Sequence, residues 1–225
     1  KFRLNRFLYN EGIEILDKFG SHPSFVMMAL GNELCGDVNI MRQWKEEFHQ
    51  RDDRHLYAFG SNNNLGWQGQ QEGEDFLVTC RIGGEEPEKY NTHVRASFSF
   101  ADAFEGGILN GTYPNTRMNF DNALKASAVP VVSHETCQFQ IYPDFAEEAK
   151  YTGVLAPMNF REFRRRLGKQ FDNADEMSKK FHIASGKLAM LCYKADIEMC
   201  LRSHNMGGFQ MLDLQDYPGQ GTALV

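Results

Sequence analysis

Helix-like and strand-like patterns of apolar residues alternate along the chain. Apolar residues spaced three or four positions apart predict helices over 3–19, 37–50, 117–127, 159–169 and 175–203. Short apolar runs predict five strands, over 25–30, 54–61, 75–84, 129–135 and 207–216. Strands that alternate with helices predict a parallel sheet with helices outside it. Five strands fit either an open doubly wound sheet or part of a barrel.

The run "FVMMALGNEL" over 25–34 is the most informative segment. Its strand is apolar on both faces, which predicts a position in the middle of a parallel sheet. Gly31 and Asn32 supply the turn chemistry expected where a strand ends. A turn does not require a carboxylate, so Glu33 is either a solvated loop charge or a group aimed at a ligand.

Polar side chains follow each predicted strand, where parallel α/β folds bind their ligands. They are Asn32, Glu33, Ser61, Asn62, Asn63, Cys80, Arg81, His134, Glu135, Asp213, Gln215 and Asp216. Two carboxylates in a cleft can divide the work of glycoside hydrolysis, because one protonates the leaving oxygen while the other attacks the sugar or activates water. Glu33 and Glu135 are candidates for this pair. The competing interpretation is that both are ordinary strand-end charges that point to water.

Composition narrows the classes of partner. The chain has 225 residues, of which 42% are hydrophobic, so it can bury a sizeable core as one domain. Its net charge of −6, without a long run of one sign, argues against nucleic-acid and anionic-membrane partners. No apolar segment approaches the roughly 20 residues of a membrane span. The five cysteines form no C-x-x-C pair, and no residues have metal-ligand spacing, so we expect free thiols and neither metal nor cofactor.

Four segments resemble glycoside hydrolase family 2, the β-galactosidase, β-glucuronidase and β-mannosidase group. "HPSFVMMALGNEL" resembles the strand that ends in the catalytic acid/base, and "DDRHLYAFGSNN" resembles the strand after it. "VPVVSHETCQFQIYPDF" falls where the seventh strand of the family ends in the nucleophile. "GGFQMLDLQDYPGQGTALV" resembles the eighth strand in a divergent subgroup from polysaccharide-degrading gut bacteria. The resemblance covers nearly the whole chain in order.

The resemblance implies an α/β fold, a (β/α)8 TIM barrel represented by strands four to eight with outer helices. Residues 1–225 would form a single partial catalytic barrel domain, without the upstream strands one to three and the β-sandwich domains. Such a remnant exposes apolar edges that self-association could cover, and we expect the isolated fragment to be inactive. A periplasmic or secreted location is also implied, with the signal segment outside this chain.

The implied activity is that of a retaining exo-β-glycosidase acting on an oligo- or polysaccharide. Glu33 would be the acid/base and Glu135 the nucleophile of a double displacement, and Asn32 would bond the sugar 2-hydroxyl. Glu33 must hold a proton near neutral pH, which burial or a neighbouring carboxylate would favour. Glu135 must stay ionised, which a donor such as His134 or Asn32 would favour. Retention requires the two carboxyl groups to lie about 5 to 5.5 Å apart.

Further residues are candidate sugar ligands on the same rim. They are Asn62, Trp67, His134, Gln138, Tyr142, Asp213 and Asp216. Trp67 could stack on a sugar face or simply anchor its loop. The sequence departs from the family around the nucleophile, which lies in "SHETC", and in the eighth strand, where "DLQD" replaces a Trp. The sugar and the linkage are therefore left open.

Two other functions compete with hydrolysis. The first is a catalytically degenerate, carbohydrate-binding barrel, which the unusual nucleophile surroundings motivate. The second is an open α/β sheet that binds a nucleotide. The glycine cluster "GWQGQQEG" lacks the spacing of a phosphate-binding loop, so the sequence disfavours the second.

Overall fold

Helices and strands alternate in the computed structural model, which describes residues 2–61, 70–82, 93–96, 108–109 and 112–212. The helices are α1 (Phe2–Phe19), α2 (Val38–Arg51), α3 (Asp121–Leu124), α4 (Met158–Leu167) and α5 (Ala174–Arg202), with a 3₁₀ helix at Phe145–Lys150. The strands are β1 (Met27–Ala29), β2 (Leu56–Ala58), β3 (Leu77–Thr79), β4 (Val131–Thr136) and β5 (Met206–Met211). The predicted order of elements is confirmed, but the first three strands have only three residues each.

The strands form two small parallel sheets, so the predicted partial (β/α)8 TIM barrel is wrong. One sheet pairs β1 with β2, and the other has the order β3-β4-β5. Between β2 and β3 the described residues show a single parallel bridge, from Ser61 to Val78. Strands this short make few ladder hydrogen bonds. A continuous barrel wall therefore does not form from the described residues.

Contacts within the chain group it into two compact units. The first comprises Lys1–Arg95, Asn119–His134 and Cys200–Gln210, and the second comprises Ala96–Met118, Glu135–Met199 and Met211–Val225. Two apolar clusters fill the first unit, one around Leu16, Phe48 and Tyr57, the other around Phe76, Val78 and Val132. The second unit buries Cys137, Phe139 and Ala189.

The first helix confirms its predicted span. Its sequence also predicts one apolar face, formed by Leu4, Phe7, Leu8, Ile15 and Leu16, and this prediction is wrong. Leu4, Phe7, Leu8 and Ile15 are exposed, and of that face only Leu16 is buried. Tyr9 and Ile13 pack on the core instead. The helix carries apolar residues on more than one side, so spacing alone could not identify the covered one.

The first strand is also less buried than its sequence predicts. Val26 is 54% exposed and Met27 is 36% exposed, so a position in the middle of a sheet is wrong. Within the described residues β1 pairs with β2 alone. A run of apolar residues thus marks the strand here without marking its place in the sheet.

Candidate functional site

The chain turns sharply at Glu33, just after β1. The Glu33 amide donates to the Ser61 carbonyl at 2.7 Å, and the Ser61 amide donates to the Gly31 carbonyl at 2.8 Å. Glu33 itself takes the left-handed conformation, with φ 51°. Gly31 and Asn32 do not, so the left-handed residue at this strand end is the glutamate and neither of the two residues with turn chemistry. The Glu33 side chain is exposed and lacks the burial expected for an acid/base.

The end of β4 has the same backbone feature in a more enclosed setting. Glu135 has φ 53° and is half-buried, between Ser133, Thr136 and other residues of the strand that are fully buried. Cys137 follows with φ 69°, and its amide donates to Asp196 Oδ2 at 3.3 Å. Asp196 is fully buried and also accepts the Ala96 amide at 3.0 Å. A buried carboxylate therefore fixes the backbone that follows Glu135.

Left-handed backbone is costly for residues other than glycine. It is uncommon outside glycine and asparagine, and each such residue costs about 1 to 3 kcal/mol. Among the described residues that are not glycine, the left-handed ones are Glu33, Glu135, Cys137 and Asn205. Strain of this kind clusters at functional sites. The two glutamates that the sequence identified as candidates thus also have an unusual backbone conformation.

A row of hydrogen bonds joins three polar side chains within the first unit. His134 Nε2 lies 3.0 Å from Asn32 Oδ1, and His134 Nδ1 lies 2.7 Å from Gln210 Oε1. Asn32 and His134 are the residues immediately before Glu33 and Glu135 in the sequence. The structure therefore brings two predicted sugar ligands together. Gln210 was missed, although a polar residue inside the apolar run of the fifth strand was a signal.

Tyr142 serves as a packing residue in the second unit. Its ring meets those of Phe163 and Phe181 edge-on, with centroids 5.7 and 5.3 Å apart. Its amide donates to Ser185 Oγ at 2.8 Å, and its carbonyl lies 2.8 Å from His182 Nδ1. Burial raises the pKa of Tyr142. These contacts give the residue a structural role that the sequence did not suggest.

The remaining predicted ligands divide into two groups. Gln138 is half-buried in the second unit, directly after Cys137. Asn62, Trp67, Asp213 and Asp216 lie outside the described residues. Glu33 belongs to the first unit and Glu135 to the second.

Two buried or half-buried carboxylates that the sequence did not single out hold backbone in the first unit. Glu74 accepts the amides of Phe59 at 3.0 Å and Gln71 at 2.8 Å. Burial raises the pKa of Glu74, although these two hydrogen bonds act in the opposite direction. Asp75 accepts the Tyr57 amide at 2.9 Å and pairs with Lys45 at 3.1 Å. These carboxylates are occupied by structural hydrogen bonds, which distinguishes them from exposed Glu33.

Within the described part of the chain, no group of three or more His, Cys, Asp or Glu side chains could hold a metal ion. None of the described helices has the length and apolar character needed to cross a membrane. The sequence matches no model of a known protein family, and no curated protein is significantly similar to it.

Proposed function

We propose that the chain is a retaining exo-β-glycosidase, with Glu33 as general acid/base and Glu135 as nucleophile. The observation that carries the proposal is the left-handed backbone of both glutamates at the ends of parallel strands. A solvated loop charge has no need of a strained backbone, and a sequence without such a need would place glycine or asparagine there. Strain at these two positions supports a requirement for the side chains themselves.

The chemistry assigns each carboxyl group a separate step. The Glu135 carboxylate attacks the anomeric carbon, and the bond to the leaving oxygen breaks as Glu33 donates its proton to that oxygen. Glu33, now ionised, then removes a proton from water, which attacks the anomeric carbon and releases Glu135. Two inversions give net retention. The mechanism requires the two carboxyl groups to lie about 5 to 5.5 Å apart.

The surroundings support the step proposed for Glu135 more directly than the one proposed for Glu33. Glu33 is exposed, so the water that attacks in the second step can reach it. Glu135 is half-buried in the longer strand β4, which supports a fixed direction of attack. The hydrogen bond between Asn32 and His134 supports a polar surface within the first unit.

Covalent trapping tests the proposal directly. The expectation that the fragment is inactive rested on a truncated barrel, which the two small sheets contradict, so the chain itself can be tested. The purified chain is incubated with 4-nitrophenyl β-glycosides and with 2-deoxy-2-fluoro β-glycosides that carry a good leaving group. We expect slow, stoichiometric labelling, and peptide mass spectrometry should find the glycosyl ester on Glu135. The variant Glu135→Gln should not be labelled. Glu14→Gln, which changes an exposed glutamate of α1, serves as the matched control and should be labelled like the wild type.

A carbohydrate-binding protein without turnover is the second candidate. The row formed by Asn32, His134 and Gln210 favours it, because amide and imidazole groups suit sugar hydroxyls as hydrogen-bond partners. Calorimetric titration with the same glycosides separates the two functions. Binding without hydrolysis or labelling would favour a binding protein over a hydrolase. A label on another residue would contradict the role of Glu135.

A further inference from the structure

We infer that Gln210 is a positioning residue, which acts through His134 to fix the amide of Asn32 that binds the sugar. The inference rests on the proposed function, because it assigns Asn32 to the sugar 2-hydroxyl. Gln210 lies on β5, His134 on β4, and Asn32 just after β1. All three belong to the first unit. The row therefore links residues far apart in sequence at one polar surface of that unit.

The imidazole of His134 couples the two amides because, when neutral, it carries a single proton on either Nδ1 or Nε2. Asn32 turns its Oδ1 toward His134 Nε2, at 3.0 Å, so this nitrogen donates. In the neutral ring Nδ1 is then an acceptor, and the Gln210 amide must present its NH₂ group. In the charged ring Nδ1 donates as well, and Gln210 presents Oε1, which lies at 2.7 Å. In both arrangements Gln210 stabilises the ring with Nε2–H toward Asn32.

This coupling determines which amide atoms of Asn32 meet a ligand. With Oδ1 engaged by His134, the NH₂ group of Asn32 is left to donate to a sugar hydroxyl oxygen. The Asn32 side chain is exposed, so a ligand can reach it. If Nδ1 lost its partner, the ring could rotate or carry its proton on Nδ1, and Asn32 would lose its fixed orientation. A hydrogen bond to the 2-hydroxyl strengthens in the transition state of glycoside hydrolysis, so its loss should lower the rate.

The first test is spectroscopic and does not depend on activity. Long-range ¹H–¹⁵N correlation spectra distinguish the two neutral tautomers of histidine from the charged ring. We expect His134 in the wild type to carry Nε2–H. Gln210→Met, which keeps the length of the side chain but removes its hydrogen bond, should mix the tautomers and shift the Asn32 side-chain NH₂ signals. Gln210→Glu should hold the charged ring and retain Nε2–H.

The second test compares an aryl β-glycoside with its 2-deoxy analogue. Gln210→Met should lower kcat/KM about tenfold on the 2-hydroxy substrate, as expected for one hydrogen bond, and less than about twofold on the 2-deoxy substrate. Gln210→Glu should restore most of the loss. Gln50→Leu, an exposed glutamine of α2, is the control and should match the wild type on both substrates.

The outcomes separate the inference from the proposed function. Unchanged His134 and Asn32 signals in Gln210→Met would overturn the inference. An equal loss of kcat/KM on both substrates would also overturn it, because it would show that Gln210 has only a structural role. If the wild type hydrolyses neither substrate while the spectra change as expected, the proposed function fails and the coupling between Gln210 and Asn32 stands. Selective loss on the 2-hydroxy substrate together with the spectral change supports both.

Discussion

The ends of β1 and β4 share a backbone conformation but differ in their surroundings. Glu33 and Glu135 both have φ near 50°, yet Glu33 is exposed after a three-residue strand whereas Glu135 is half-buried in a six-residue strand. Single backbone hydrogen bonds to Ser61 and Gly31 fix the first end. Fully buried neighbours and Asp196 surround the second. The first end is thus open to water, and the second is enclosed by packed side chains.

This difference matters because the two proposed steps make different demands. A nucleophile must keep its direction throughout two displacements, which a half-buried position in a long strand favours. An acid/base must give up and regain a proton, which access to water favours. The common φ shows that both ends accept strain. The half-buried position of Glu135 suits a nucleophile, whereas exposed Glu33 lacks the burial expected for an acid/base.

The largest expected effect is a stereochemical contrast between alanine variants. Glu33→Ala should lower kcat roughly 10²- to 10⁴-fold on substrates with poor leaving groups, as loss of a general acid/base does. Glu135→Ala should show no turnover above background, since the covalent step is lost. Added azide should rescue both, but with different products. In Glu33→Ala azide attacks the glycosyl-enzyme and gives a β-glycosyl azide, whereas in Glu135→Ala it attacks the substrate and gives the α-anomer.

¹H NMR of the products distinguishes the α- from the β-glycosyl azide and does not depend on absolute rates. The anomeric coupling constant identifies each azide. Glu14→Ala, on an exposed face of α1, is the control and should form no glycosyl azide beyond that of the wild type. If the two variants exchanged anomers, the roles of Glu33 and Glu135 would be exchanged too. If neither variant formed an azide, both assignments would be contradicted.

A smaller effect, on stability, is expected from a carboxylate with a structural role. Glu74→Ala should lower the free energy of unfolding by about 1 to 3 kcal/mol, because the buried amide of Phe59 and the amide of Gln71 lose their acceptor. Urea denaturation followed by circular dichroism measures this loss. Exposed Glu72 offers the neighbouring control, and Glu72→Ala should stay within about 0.5 kcal/mol of the wild type.

The same variant should change the pH dependence of stability. Burial raises the pKa of Glu74 in the folded state, so the folded protein holds this proton to higher pH than the unfolded chain. The part of the Glu74 contribution that depends on its protonation is therefore fully present below its ordinary pKa of 4.5 and is lost as pH rises through the raised value, whereas its role as acceptor of the two amides remains. Glu74→Ala should remove this decline. An identical pH profile in wild type and variant would contradict the assigned environment of Glu74.

The sequence predicted the elements of this fold better than their assembly. Hydrophobic spacing located α1, α2, α4, α5 and the strands between them, because these patterns are local. The two separate sheets were not predictable in the same way, since they depend on strand length and on pairing between distant segments, and the predicted barrel was therefore wrong. The run "FVMMALGNEL" predicted a strand, but only three of its residues pair with β2, which is too few to continue a barrel wall.

The candidate site shows the same limit. Glu33, Glu135, Asn32 and His134 could be selected as polar residues at strand ends, but the hydrogen bond between Asn32 and His134 depends on tertiary structure. The position of Gln210 next to His134 depends on β5 lying beside β4. Gly31 and Asn32 were recognised as residues typical of turns, but spacing gave no sign that the left-handed conformation would fall on Glu33.

Relief of backbone strain should give an effect of intermediate size. Glu135→Gly should be more stable than Glu135→Ala by about 1 kcal/mol, because glycine takes positive φ without a steric penalty. The same ranking is expected at Glu33. Both variants lack the carboxylate, so the difference in stability between glycine and alanine reports only the backbone strain. Thermal unfolding measures this difference. Alanine as stable as glycine at both positions would show that neither residue is strained.

The smallest effect is expected at Gly31, beside the strained position. A Cβ at Gly31 would meet Leu34 Cδ2 at 2.9 Å, but this atom is the flexible end of a half-buried side chain that can move. Gly31 does not have positive φ, so Gly31→Ala should cost no more than about 1 kcal/mol, the lower end for an overpacked site. Urea denaturation of Gly31→Ala beside Glu33→Gly compares the two positions. A loss of several kcal/mol in Gly31→Ala would show that the turn requires glycine at position 31. It would then support the interpretation of Glu33 as an ordinary loop charge.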